Sequence, residues 1–221
     1  MLDPLPTGTW VATDMLDSTG PVLPVQVDPA ALTGEVQHRQ TGADRLRSSA
    51  RLHLSLSVER DPVTDMPRIT FDFTGTDRQV PGNMNAVRAV TVSAVGFALR
   101  AALDPTLPAN AGVMEPVRVL TSAGSLVDAV VPVAVGAGNV EVSQRVADLC
   151  QATLAQAVPE RVPAAGQGTM NNVLLGSVGG GGDRTPWVYY ETIGGGQGGR
   201  PLIRVGVRAT RSRACRRSTR T

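Results

Sequence analysis

The stretch RLHLSLSVERDPVTDMPRITFDFTG, residues 51–75, decides the fold. In its first ten residues leucine and valine alternate with polar side chains, so one face of the segment is apolar and the other is polar. The turn-forming run DPVTDMP follows, and the alternation then returns with Ile69, Phe71 and Phe73 on one face. Two alternating segments joined by a short turn predict an antiparallel β-hairpin.

Apolar side chains at helical spacing predict two main helices, over 85–103 and over 139–158. A DPTLP turn follows the first helix, and Pro159 and Pro163 follow the second. Each helix is expected to bury one stripe of side chains. The expected stripes are Val87, Val90, Ala94, Phe97 and Ala101 in the first helix, and Val142, Val146, Leu149, Cys150 and Thr153 in the second.

Four further segments have the composition of short strands. They are PVRVL (116–120), DAVVPVAVG (128–136), TMNNVLLGSV (169–178) and PWVYYETI (186–193), the last two flanking a glycine-rich turn. Together with the hairpin and the helices, they predict an α+β protein with mixed sheets, an antiparallel hairpin region and two main helices, as part of a larger multi-layer fold.

The chain divides into three parts by composition. We expect a β-rich part over 1–80 with an insertion near 26–50, an α/β part over 81–200, and a disordered basic tail over 201–221. The tail contains seven arginines and no carboxylate, and without it 14 basic and 19 acidic side chains give a net charge of −5. An acidic body gives no electrostatic reason to expect nucleic acid as a partner.

Several kinds of site lack their required residues. The chain contains no lysine, so the run GSVGGGGDRT at 176–185 cannot be a phosphate-binding P-loop. The run GGGQGG at 194–199 fits a dinucleotide fingerprint only formally, because Arg-Pro follows it where a helix should begin. The two histidines, His38 and His53, are too far apart for zinc, and we expect no metal site in this chain.

Sequence features also bear on the compartment. Two cysteines, Cys150 and Cys215, form no disulfide framework, and the first ten residues do not resemble a signal peptide. No apolar run reaches the length that spans a membrane. We therefore expect a cytoplasmic protein with no membrane partner.

Four runs rich in amides and carboxylates stand in apolar surroundings: PGNMNA (81–86), GNVEVSQR (138–145), AAGQGTMNN (164–172) and YYETIGGGQGG (189–199). Their amides could hold loop backbone, or they could line a polar pocket for a compact amide-like substrate. The candidate substrate-binding residues are Asn83, Asn85, Asn139, Gln144, Gln167, Asn171 and Asn172. The candidate acids or bases are Glu141 and Glu191. If either is buried, the pKa of its carboxyl should rise, which would suit it to that role.

These runs, in this order, resemble the B-type subunit of the hydantoinase/5-oxoprolinase family, which is related to the α-subunits of acetone-type carboxylases. The segments that carry the resemblance are FDFTGTDRQVPGNMNA, GNVEVSQRVAD, PERVPAAGQGTMNN and YYETIGGGQGGRP, and LPTGTWVATDMLDSTG near the beginning adds to it. The resemblance covers about residues 5–25 and 50–201.

The resemblance implies ATP-dependent hydrolytic opening of a cyclic amide such as 5-oxoproline or a hydantoin. An A-type partner subunit would bind ATP and carry out phosphorylation, which agrees with the missing P-loop. A pocket lined by amides suits a lactam or an imide, whose N–H and C=O groups need matching acceptors and donors. A divalent metal is expected in an N-terminal half of the family pattern that this sequence lacks, so the isolated chain is expected to be inactive.

Two other functions share the same residues: a piece of an acetone-type carboxylase α-subunit, and a non-catalytic assembly module. The tail departs from the family pattern after Pro201, and we expect it to be an out-of-frame translation of GC-rich DNA. A basic arm that binds nucleic acid is the rival explanation for the tail, and it predicts salt-sensitive DNA binding.

Overall fold

A computed structural model of the chain describes residues 5–18, 49–177, 187–196 and 198–199. Within these residues one mixed sheet has the strand order β1-β2-β3-β4. The strands are β1 (Gly8–Leu16), β2 (Ala50–Arg60), β3 (Pro67–Asp72) and β4 (Val117–Leu120). The insertion predicted near 26–50 lies almost wholly outside the described residues. The tail predicted over 201–221 lies wholly outside them.

The predicted hairpin is present as the centre of this sheet. β2 and β3 are antiparallel, with Leu56 opposite Phe71 and Val58 opposite Ile69. The alternating leucines of β2, together with Ile69 and Phe71 of β3 and Phe73 just beyond it, are at most 1% exposed. Burial of each such side chain contributes about 1.5–3 kcal/mol, so this face is the main source of hydrophobic stabilisation. β1 adds to the other side of β2, also antiparallel.

β4 adds to β3 in parallel, with Ile69 opposite Val117. A parallel neighbour needs a long crossover. Here the crossover between β3 and β4 contains helix α1 (Arg88–Leu103) and a short 3₁₀ turn (Ala111–Met114).

Helix α2 (Ser143–Ala157) packs on β1, on β2 and on α1. It buries Val146, Leu149, Cys150 and Thr153, and Val142 immediately before it is also buried, as the spacing predicts. Two main helices on a mixed sheet confirm the predicted α+β class.

The buried face of α1 differs from the prediction. Val87 precedes the helix and is 40% exposed, and Phe97 is 56% exposed. The helix instead buries mostly small side chains, namely Thr91, Ala94, Val95, Ala98, Leu99, Ala102 and Leu103. α1 is apolar on nearly every side, so the position of α2, rather than the periodicity, decides which side is covered.

The predicted strand over 128–136 is also wrong. This segment is a loop, and Val131 within it is 91% exposed. Pro132 cannot donate a hydrogen bond to a sheet. The N–H of Ala129 donates instead to the carbonyl of Ala86, and that of Val130 donates to the side chain of Gln79.

The last two strands, β5 (Asn171–Gly176) and β6 (Val188–Ile193), form a separate antiparallel pair, as predicted. Unlike the first sheet, this hairpin buries almost nothing. All six residues of β5 are exposed, as are Trp187, Val188 and Tyr190. The glycine-rich run that connects the two strands lies mostly outside the described residues.

Replacing Leu56 by alanine should lower the free energy of unfolding by about 2–5 kcal/mol, because the side chain is fully buried in an inner strand. Urea unfolding monitored by circular dichroism would measure the change. Ser57→Ala, on the other face of the same strand, is the matched control and should change stability by less than about 0.5 kcal/mol. Equal losses in the two variants would contradict the assignment of the buried face.

Candidate functional site

The polypeptide immediately before α2 forms a π-helical turn, Gly138–Val142. Such turns are uncommon and occur frequently at functional sites. The turn begins at a close backbone approach, because a Cβ atom on residue 138 would overlap the carbonyl oxygen of Asn85. Only glycine fits there, and the loop of residues 80–86 therefore lies directly against the beginning of α2.

Asn85 holds this loop in place. Its side chain is fully buried, and its Oδ1 accepts from the N–H of Val80 at 2.7 Å. Its Nδ2 lies 2.9 Å from each of the carbonyl oxygens of Val80, Gly82 and Ala134. The amide group of Asn85 is thus fully engaged with two loops of the protein itself, and we leave this residue out of the proposed substrate-binding set.

Asn83 lies two residues earlier on the solvent-exposed side of the loop. Its carbonyl oxygen accepts from the N–H of Ala137 at 2.8 Å, just before the π-helical turn. The side-chain amide faces the neighbourhood of Gly136. Its position puts an exposed amide next to the turn that leads into α2.

Glu141 lies in the π-helical turn and is half-buried. The hydroxyl of Thr169 donates to its carboxylate and lies 2.7 Å from both oxygens. The N–H of Met170 donates to the carbonyl of Val140 at 3.2 Å. These bonds hold the segment of residues 164–170 against the turn and fix the direction of the carboxylate.

Asn139 and Gln144 face a groove between α1 and α2, with a volume of about 440 Å³. Its wall is mainly apolar, with a few polar groups, which is the usual composition of a small-molecule pocket. The residues that line it are Ala89, Val90, Ser93, Ala94, Phe97, Asn139, Ser143, Gln144 and Ala147. Glu141 is not among these lining residues, and its carboxylate contacts Thr169 instead.

Gln167 is exposed, and its backbone N–H donates to the carbonyl of Gly196 at 3.2 Å. The N–H of Ala164 donates to the carbonyl of Gly199 at 2.9 Å. The segment that carries Gln167 and Thr169 is therefore joined both to the π-helical turn and to the residues after β6.

The three candidates on the β5–β6 hairpin divide between its two faces. The register places Asn171 opposite Ile193 and Val173 opposite Glu191, so Asn171 and Glu191 share one face. The hydroxyl of Tyr189 donates to the carboxylate of Glu191.

Asn172 points to the opposite face. Its Oδ1 accepts from the hydroxyls of Tyr190 at 2.7 Å and Thr192 at 2.9 Å. Its Nδ2 donates to the carbonyl of Met170. The amide of Asn172 is thus engaged within the hairpin.

The candidates form two groups in the described part of the chain. Asn83, Asn85, Asn139, Glu141 and Gln144 surround the beginning of α2, and Asn171, Asn172 and Glu191 lie on the hairpin, with Gln167 between the groups. A second cavity, of about 930 Å³, lies beside β3 and β4 and is lined by none of the candidates.

Sequence reasoning missed Thr169 and Arg145, although both lie within the quoted family runs. Arg145 forms an ion pair with Asp14 of β1 at 2.9 Å, and this hydrogen bond raises the pKa of the guanidinium. Burial raises the pKa of the nearby Asp148 carboxyl. Burial also raises the pKa of the Cys150 thiol, which makes it a poor nucleophile.

Among the residues that the structure describes, no three His, Cys, Asp or Glu side chains form a group that could hold a metal ion. No helix within those same residues is long and apolar enough to cross a membrane.

The sequence model of the Hydantoinase B/oxoprolinase family matches residues 1–204. The chain therefore belongs to this family, and the resemblance seen in the four runs is confirmed.

Two curated relatives show the same relationship. An uncharacterized protein of Methanocaldococcus jannaschii is 45% identical over 131 residues, which cover 59% of this chain and 22% of the relative. 5-Oxoprolinase 1 of Arabidopsis thaliana is 40% identical over 158 residues, which cover 72% of this chain and 11% of that protein. The chain thus matches less than a quarter of the length of either relative.

The fold is also found in a solved enzyme. The nucleotide-free structure of acetone carboxylase, described as carrying out ATP-dependent acetone carboxylation, matches with a TM-score of 0.60 and 16% identity. The match covers 88% of this chain and 24% of that chain. The predicted relation to acetone-type carboxylases therefore holds for the fold.

Replacing Asn85 by alanine should lower the free energy of unfolding by about 2–3 kcal/mol, because it leaves a buried N–H and several carbonyl groups without partners. Thermal and urea unfolding would measure the loss. Asn83→Ala removes an exposed amide from the same loop and should be close to neutral. A neutral Asn85→Ala would show that the two loops are held by other contacts.

Proposed function

We propose that this chain supplies the B-type part of an ATP-dependent enzyme that hydrolyses a small cyclic amide, such as 5-oxoproline or a hydantoin. The observation that carries the proposal is the arrangement at the beginning of α2. There Thr169 orients the Glu141 carboxylate, and Asn139 and Gln144, which are close to Glu141 in the sequence, face a groove. The family and the 40% identity to a 5-oxoprolinase support the substrate class.

Within this proposal Asn139 and Gln144 bind the ring. A cyclic amide presents one N–H donor and one carbonyl acceptor on a compact, otherwise apolar ring. A side-chain amide offers both complementary groups, and the apolar wall that Val90 and Phe97 provide suits the ring carbons. Asn83, Gln167 and Asn171, whose side chains are exposed, are the further candidates for substrate contacts.

Glu141 is our candidate for the general base. Hydrolysis requires that water lose a proton as it attacks the carbonyl carbon, that the C–N bond break, and that the ring nitrogen gain a proton. The carboxylate of Glu141 would take the proton from water and could return it to the nitrogen. The hydrogen bond from Thr169 restricts its rotation, which favours one direction of attack.

Glu191 is the second candidate acid or base. Tyr189 holds its carboxylate on the hairpin face that also carries Asn171. Glu141 is preferred because it is anchored between α2 and the 164–170 segment, whereas Glu191 lies on a pair of strands that is mostly exposed.

The exposed hairpin supports the proposal that the chain works together with further polypeptide. It carries three of the seven aromatic side chains of the chain, Trp187, Tyr189 and Tyr190, each at least 38% exposed. Exposed aromatic side chains are enriched at protein interfaces. We assign ATP binding to an A-type subunit and a divalent metal to polypeptide outside this chain, and we place the assembly in the cytoplasm.

The test uses a full-length B-type family member together with its A-type subunit. Changing the residue aligned with Glu141 to glutamine should lower kcat for ATP-dependent ring opening by about 10²–10⁴-fold, because glutamine cannot accept the proton. KM should change little, since the shape of the side chain is kept. Release of the open-chain amino acid, measured by chromatography, gives the rate.

The residue aligned with Glu160 provides the control. It is an exposed glutamate just beyond α2, and its change to glutamine should leave kcat unaltered. Unchanged turnover in the Glu141 variant would rule out the assigned base. ATP-dependent consumption of bicarbonate and a ketone, with no ring opening, would favour a carboxylase instead, and an assembly module would show partner binding without either reaction.

A further inference from the structure

Arg145 connects three parts of the structure near the candidate base. It follows Glu141 by four residues, so the two side chains lie on the same side of the α2 beginning. Its Nη1 lies 2.9 Å from Oδ2 of Asp14, which belongs to β1. Both side chains of this ion pair are about one-third exposed, so the guanidinium lies between the helix and the first strand.

On its other side the guanidinium contacts the turn that carries Thr169. Gly168 has a φ of +74°, in the left-handed region that favours glycine. A Cβ atom at residue 168 would lie 2.7 Å from Nη2 of Arg145 and 3.1 Å from Oδ2 of Asp148. The backbone of the turn therefore lies directly against the Arg145 side chain, and a larger residue there would require the guanidinium to shift.

This contact reaches the candidate site through the next two residues. Thr169 donates to the Glu141 carboxylate, and Met170 donates its N–H to the carbonyl of Val140. One residue before the glycine, the N–H of Gln167 donates to Gly196. These contacts join the Arg145 side chain, through the Gly168 turn and Thr169, to the Glu141 carboxylate.

The local charges favour arginine at this position. Asp14 and Asp148 both lie beside the guanidinium, and Asp17 adds further negative charge. Without Arg145, the two nearer carboxylates would lie close together in a half-buried region with no cation between them. A planar guanidinium also bonds to Asp14 while leaving a flat surface for the turn, which an ammonium group does not provide.

We propose that Arg145 is a positioning residue, which supports the Gly168 turn so that Thr169 orients Glu141 and Gln167 faces the substrate. Arg145 does not itself touch the reacting atoms. The proposal rests on the function proposed above for its catalytic consequence, but the structural step can be tested without it.

The structural test is amide hydrogen exchange in this chain, measured by NMR. Arg145→Gln should increase the exchange rate of the Met170 N–H by at least about tenfold relative to the wild type, because the turn loses its support. The amide of Leu149, in the middle of α2, should keep its protection in the same variant and so report that the helix remains folded.

Gln156→Ala is the matched control. Gln156 also joins α2 to β1, since its Nε2 donates to the carbonyl of Val11 at 3.0 Å, but it lies far along the helix from the turn. This variant should leave the exchange of Met170 unchanged. If Arg145→Gln fails to fold, Gly168→Ala serves as the second variant, and it should expose the Met170 amide in the same way.

The catalytic test uses the aligned substitutions in the full-length enzyme with its A-type subunit. Arg145→Gln should lower kcat by about 10–100-fold with a smaller change in KM, and Arg145→Lys should recover only part of the loss. If Arg145→Gln merely destabilised the fold, it would lower the amount of active enzyme. Arg145→Lys would then restore the full activity.

Two results would overturn the positioning role. One is unchanged exchange at Met170 in the folded Arg145→Gln and Gly168→Ala variants, and the other is full activity of the Arg145→Gln enzyme beside an inactive Glu141→Gln enzyme. A different pattern, with faster exchange at Met170 and no effect of Glu141→Gln on turnover, would confirm the support of the turn and refute the proposed base.

Discussion

The close approach of Gly138 to the backbone at Asn85 is the constraint on which the rest of the site depends. Because residue 138 has no side chain, the loop of residues 80–86 can lie against the polypeptide that begins α2. The fully buried side chain of Asn85 then accepts from the N–H of Val80 in that loop and donates to the carbonyl of Ala134. The π-helical turn at Gly138–Val142 follows directly, and it carries both Asn139 and Glu141.

The sheet provides the surface on which this arrangement rests. α2 lies across β1 and β2, and the apolar face of the β2–β3 hairpin fills the space beneath it. The ion pair between Arg145 and Asp14 fixes the polar side of the helix to the first strand. The segment of residues 164–170 packs against that side through Thr169 and Gly168, so three stretches far apart in the sequence meet at the beginning of α2.

Much of the fold could be predicted from the sequence because its signals are local. Alternation over 51–75 specified two strands and their shared apolar face, and the helical spacing after Gly138 specified the buried stripe of α2. The buried face of α1 could not be predicted, because nearly all of its sides are apolar and contact with α2 makes the choice. Pro132 was the local signal against a strand over 128–136.

The candidate site was predictable only in part. The four amide-rich runs contain the residues that surround the beginning of α2, yet composition could not distinguish Asn85, which bonds to the backbone, from Asn139, which faces a groove. Nor could it show that Asn171 and Asn172 point to opposite faces until the strand register was known. Thr169 and Arg145 act through contacts over 28 and 131 residues of sequence, which no local pattern reports.

The central claim is that a small cyclic amide binds at the beginning of α2, and the side-chain amide signals of this chain in ¹⁵N NMR test it most directly. On addition of millimolar 5-oxoproline, the signals of Asn139 and Gln144 should shift, while that of the fully engaged Asn85 should stay in place. Shifts confined to the amides of the β5–β6 hairpin, or no shift at Asn139 and Gln144 with either 5-oxoproline or a hydantoin, would contradict the claim.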